Sequence, residues 1–160
     1  MSGQYFSESR NVELSTIQYL ETQIDANWTG VNVVKSFLSA YAKDIQPPIV
    51  AIRLLDQTTN RLEVGATTLE NRYTIAIDIF ARSAGQRLDL ADFILNQVKD
   101  SWTYNTYAHA TGDKSSIVAT ATGKIIVTNF VENGMVDIGE TEEARDRFRH
   151  SLIFTVRKNI

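Results

Sequence analysis

The chain has two histidines, His109 and His150, and no cysteine. Imidazole is the side chain best suited to general acid–base work near neutral pH. His109 sits in the polar string AHATGD, and His150 lies between Arg149 and Ser151. Neither falls in a GxSxG elbow or an HExxH helix, the settings that bring a nucleophile or a metal-held water next to a base. Both read as structural or surface histidines. A small hydrolase or transferase using His109 or His150 is the enzymatic alternative. The absence of cysteine excludes disulfides, thiolate metal sites and thiol nucleophiles. Asp89 and Asp92 are three residues apart in a helical pattern and read as neighbours on a solvated face. Glu140, Glu142 and Glu143 are close in sequence, but their spacing matches no EF-hand loop. Ser83-Ala84-Gly85-Gln86-Arg87 lies where a phosphate-binding turn would, yet it has one glycine and no Walker lysine. It reads as a β–α turn. The expectation is no catalytic residue, no cofactor and no metal.

The densest charge lies in the closing stretch, EEARDRFRHSLIFTVRKN, from Glu142 to Asn159. Alternation assigns it to a strand over about 147–158. Phe148, His150, Leu152, Phe154 and Val156 share one face. Arg147, Arg149, Ser151, Ile153, Thr155 and Arg157 share the other, with Arg145 just before. Like charges two residues apart repel unless something neutralises them, and Glu140, Glu142, Glu143 and Asp146 lie immediately upstream. Exposed local pairing contributes little. Arginine's planar fork suits a bidentate contact with carboxylates of another subunit. Duplex binding by Arg147, Arg149 and Arg157 is a further reading, with affinity falling steeply in salt.

The surrounding elements set where these groups stand. Residues 1–10 read as a flexible N-terminus and 11–160 as a single domain. A helix is expected from Asn11, its cap, to Gly30, with Ile17, Leu20, Ile24 and Trp28 on one face. Residues 31–44 fit helix and strand equally. Pro47-Pro48 forces a break. Ile49–Leu55 reads as a strand, 56–60 as a turn and 61–67 as the returning strand. In 71–82, Tyr73, Ile75, Ile77 and Ile79 alternate onto one face. A helix is expected over 86–102, with Leu88, Ala91, Leu95, Val98 and Trp102 as its apolar stripe, widened by Ile94. Residues 103–122 read as a long connection. A strand over 123–131 then meets a hairpin signal at Asn133-Gly134. The expected fold class is α+β, a mainly antiparallel sheet packed against two amphipathic helices.

The length, 160 residues, suits one domain with a sizeable core. Sixteen basic against 19 acidic residues give a net charge of −3, which argues against a generally basic nucleic-acid surface. No run reaches the length of a membrane span. The N-terminus lacks the pattern of a signal peptide, and the lack of cysteine is compatible with a reducing cytoplasm.

The string PPIVAIR over 47–53, YTIAIDIFAR over 73–82, GQRLDLA over 85–91 and DRFRH over 146–150, in that order, resembles the tail terminators and related tail-completion (neck) proteins of long-tailed bacteriophages. The likeness covers roughly residues 12–158. It implies a non-enzymatic virion protein, assembled in the host cytoplasm, that forms a six-fold ring. Such a ring caps the tail tube and offers a docking surface to the head connector or a head-completion protein. A head-completion or sheath-capping role is the alternative within the class, with the tail sheath as a further partner. DNA would pass through the lumen without specific binding. A cyclic ring needs two different complementary patches per subunit. Arg145, Asp146, Arg147, Arg149 and Arg157 are the expected basic side, and Glu140, Glu142 and Glu143 the acidic side. Tyr104, Tyr107, His109 and Lys114, on the long connection, are the expected contact with tube or connector.

Overall fold

A computed structural model describes residues 5–35, 46–65, 67, 69–110, 113–136 and 148–159. Helix α1 spans Glu8–Asn27, followed by the short strand β1, Asn32–Val34. Strands β2, Ile49–Arg61, and β3, Leu69–Phe80, form a hairpin. Helix α2, Ala84–Val98, leads to β4, Trp102–Ala110, β5, Asp113–Val136, and β6, Arg149–Asn159. All the strands join one sheet in the order β1-β2-β3-β6-β5-β4.

The expected fold class needs correction. Strand accounts for 55% and helix for 28%, and the sheet is a single curled, mixed one rather than mainly antiparallel. The parallel pair, β1 on β2, comes from Asn32–Val34, inside the segment that sequence periodicity left open. The remainder of that segment, 36–44, lies outside the described residues.

Several boundaries move for tertiary reasons. α1 starts at Glu8, not Asn11, because the Ser7 hydroxyl accepts the Arg10 N–H at 3.3 Å. Residues 5–10, read as a flexible terminus, thus include a helix cap, a buried Phe6 and a bridge from Tyr5 to Ala108. The expected turn at 56–60 is continuous strand, since Thr58, Thr59 and Asn60 pair with β3 and the hairpin closes later. Asn133-Gly134 makes no hairpin either. It pairs straight across to Leu152 and Ser151 of β6, so long-range pairing overrides a local turn preference.

The core lies between the helices and one sheet face. Tyr73, Ile75, Ile77 and Ile79 all point into it, as strand alternation requires. From α1 it takes Val12, Ile17, Leu20 and Ile24, and from α2 Leu90, Ala91, Ile94 and Val98. The α2 stripe is therefore rotated from expectation. Leu88 is exposed, and Trp102 belongs to β4, where it stacks on Tyr19. Ser83 caps α2 by accepting the Gln86 N–H at 3.1 Å, while the Gln86 side chain accepts the Arg82 N–H at 2.8 Å. That places Ser83–Arg87 as a capped helix start. Among the described residues, no helix is long and apolar enough to cross a membrane.

Candidate assembly surface

Of the arginines that sequence alternation singled out, Arg149 and Arg157 are among the described residues, and both lie on β6. Arg149 finds its partner internally. Its Nη2 donates to Asp78 Oδ1 at 2.9 Å, and Asp78 is only 2% exposed. Arg53 on β2 approaches the other Asp78 oxygen at 3.9 Å. Arg149 also lies over the Phe80 ring at 5.6 Å, near Ile49 and Ala51 in a second apolar cluster. A buried carboxylate between two guanidiniums is a fold element. This corrects the reading of Arg149 as an intersubunit group. The missed residue is Asp78, whose signal was a lone acid inside the apolar alternation of YTIAIDIF.

Arg157 stays exposed and stands directly opposite Arg72 on β3. Arg72 pairs with Glu70 at 3.1 Å along its own strand. Arg145, Asp146, Arg147, Glu140, Glu142 and Glu143 lie outside the described residues.

The expected contact loop is not a loop. Residues 102–110 and 113–136 are β4 and β5. Tyr104 and Tyr107 are buried, which corrects their assignment to an outside contact. Tyr104 Oη accepts from Asn11 Nδ2 at 3.2 Å, and Tyr107 Oη donates to Gln18 at 2.6 Å. His109 packs edge-on against Phe6, with ring centres 5.1 Å apart. Lys114 falls at the start of β5. Sequence reasoning took aromatic residues in a polar string for a loop, but Tyr104 and Tyr107, three apart, lie on a strand whose pairing with β5 shifts register between Tyr104 and Asn105.

His150, on the core side of β6, is buried, and its Nε2 lies 2.7 Å from Asn133 Oδ1. Burial holds its pKa below the ordinary value, aided by Arg87 and opposed by Asp92 and Glu132. No nucleophile in reach makes it a catalytic dyad among these contacts. Glu8 binds the start of α1 to the sheet. It accepts from Tyr73 Oη at 2.7 Å and Lys158 Nζ at 3.0 Å. Burial raises its pKa, but these hydrogen bonds and the Lys158 charge outweigh that and hold it below the usual range. No group of three or more His, Asp or Glu among the described residues is arranged to hold a metal ion.

Among the exposed residues are several large apolar ones on strands. Pairing between β5 and β6 begins only at Lys124. Upstream, among the described residues, β5 pairs only with β4, and the two form a ribbon that continues beyond Asn159 of β6. Its residues 116–122 are all exposed, including Ile117 and Val118. Leu62, Val64 and Leu69 are likewise exposed around the β2–β3 hairpin end, and Leu55 midway along β2. Both features lie towards the end of the sheet where β6 finishes. No protein-family model matches the chain, and no curated protein matches it significantly.

Proposed function

We propose that this chain is a structural subunit of a bacteriophage neck: a tail-terminator-type ring that caps the tail tube and receives the head connector. The observation that supports this is the set of exposed aliphatic side chains on the strands, among them Leu62, Val64 and Leu69 at the β2–β3 hairpin end and Ile117 and Val118 on the β4–β5 ribbon. Exposed apolar side chains on strands suit contact with a protein partner. A two-stranded ribbon is also marginal by itself in water, so further pairing or packing would stabilise it. The order of the resembling segments supplies the class of partner, and the exposed strand-rich end supplies a means of contact.

Addition of the protein to growing tail tubes of the same phage tests this reading. The expected result is arrested elongation, with density added at one tube end. Tubes that lengthen unchanged at saturating protein would contradict it. Binding to isolated connectors or sheath, with none to tube, would move the assignment to the head-completion or sheath-capping alternative.

A further inference from the structure

Sheet edges offer unpaired N–H and C=O groups to any passing strand, so folded proteins blunt them. In this molecule the blunting can be followed edge by edge. At the β4 edge, Phe6 N–H donates to Tyr107 O at 3.0 Å, and Asn11 Oδ1 accepts Tyr107 N–H at 3.1 Å. Ser15 Oγ accepts Asn105 N–H at 2.9 Å. α1 thus covers β4 with buried polar side chains. On β2, beyond its short pairing with β1, Glu13 accepts Leu54 N–H at 2.9 Å and Asp56 accepts Gln57 N–H at 2.7 Å.

Along the β5 edge of the ribbon, the described strands pair with 113–123 on the β4 side, and pairing with β6 starts at Lys124. The backbone groups of Asn105 and Tyr107 point outward to α1, so those of the alternate residues Thr106 and Ala108 point inward to β5. Their partners are Thr120 and Val118. It follows that Val118 and Thr120 spend their backbone groups on β4, while Ile117, Ala119 and Ala121 direct theirs to the open side. The segment Ser115–Gly123, SSIVATATG, contains no charge and no proline. The segment itself therefore sets no like charge against a second copy, and the charges that flank it, Asp113, Lys114 and Lys124, stand at its two ends.

We propose that two copies of this chain pair antiparallel through this edge, about a two-fold axis near Ala119. The resulting sheet, β4-β5 of one copy and β5-β4 of the other, turns two marginal ribbons into a four-stranded unit. Self-pairing is favoured over a foreign strand because the segment is uncharged and its small residues meet their equivalents, with Ile117 opposite Ala121. The contact is isologous, so it is separate from the heterologous contacts that close a ring. In a ring-forming protein it would join rings back to back.

The test combines native mass with residue-resolved hydrogen exchange on the full chain. The expected species has twice the 18.0 kDa chain mass, or consists of doubled rings. In it, the amides of Ile117, Ala119 and Ala121 are slowed at least tenfold relative to the dilute monomer, while those of Val118 and Thr120 change little. Ala119→Pro removes a donor from the open edge and leaves the β4 pairs intact, so it should yield monomer or single rings with an unchanged circular dichroism spectrum. If that variant fails to fold, Ala119→Lys provides the same test by charge repulsion. Free exchange at those three amides in every associated form would overturn the inference while leaving the ring reading standing. Wild type that stays monomeric at all concentrations would overturn it too. Paired dimers that ignore tail tubes would sustain this inference and defeat the ring reading.

Discussion

Asp78 is the residue on which the sheet's second face depends most. It is buried with Arg149 on one oxygen and Arg53 near the other. Removing one partner from a buried ion pair leaves an uncompensated charge, at a cost of about 3–5 kcal/mol. Asp78→Ala should lower stability by less than that, about 1–3 kcal/mol, because the arginines it leaves are 18% and 39% exposed, read from the denaturant midpoint. A change under about 1 kcal/mol would mean that the pair contributes little. Arg149→Glu should be severe for the same reason, whereas Arg157→Glu, on an exposed site, should leave the fold intact. Reversing Arg149 is therefore a poor probe of assembly. His150 sets a second, pH-dependent term. Its folded pKa lies below the ordinary 6.5, so on acidification the unfolded chain takes up the proton first. The stability it contributes is complete above that value and is lost as pH falls through the folded pKa. His150→Gln, which can still bond Asn133, should flatten the stability profile just below pH 6.5. Glu8, held below 4.5, acts in the same direction in a more acidic window. An unchanged slope in the His150 variant would remove this histidine from the account.

At the scale of elements, α1 both covers the core and caps the β4 edge. Ser15→Ala deletes the acceptor for Asn105 N–H, and leaving such a group unsatisfied costs about 1–3 kcal/mol. The expected signature is faster amide exchange at Asn105 together with that loss. Stability within experimental error of wild type would show that water replaces the hydroxyl at no cost. These side-chain-to-edge bonds explain what was legible in the sequence and what was not. The face of β3 could be read because Tyr73, Ile75, Ile77 and Ile79 repeat at the strand period. The core side of β6 was equally plain in His150, Leu152, Phe154 and Val156. Asn11 could not be read, because it looks like a helix cap and serves instead as a clamp on Tyr104 and Tyr107, more than ninety residues away. The strands through 56–60 and 133–134 were hidden likewise, because polar and turn-forming residues sit there in long-range pairings. The Arg149 site was half visible: alternation found the arginine, but only the β3–β6 register brings Asp78 beside it.

For the molecule as described, the physical pattern is a buried core with several apolar side chains left exposed on the strands. Burial of aliphatic side chains contributes about 25 cal/mol per Å², so the exposed Leu62, Val64 and Leu69 are stabilising only if something covers them. Leu62→Asp combined with Val64→Asp should keep the circular dichroism spectrum and melting of the monomer while abolishing ring assembly, as judged by native mass. Assembly that survives in the double variant would exclude the hairpin end from the contact. The central claim, that this chain works as a ring-forming subunit, is tested most directly by electron microscopy of the purified protein over a range of concentrations, alone and with tube ends as template. The account predicts closed rings of uniform subunit number, single or doubled, appearing at high concentration or on tube ends. Open chains, amorphous clusters or lone subunits under every condition, tube ends included, would contradict it.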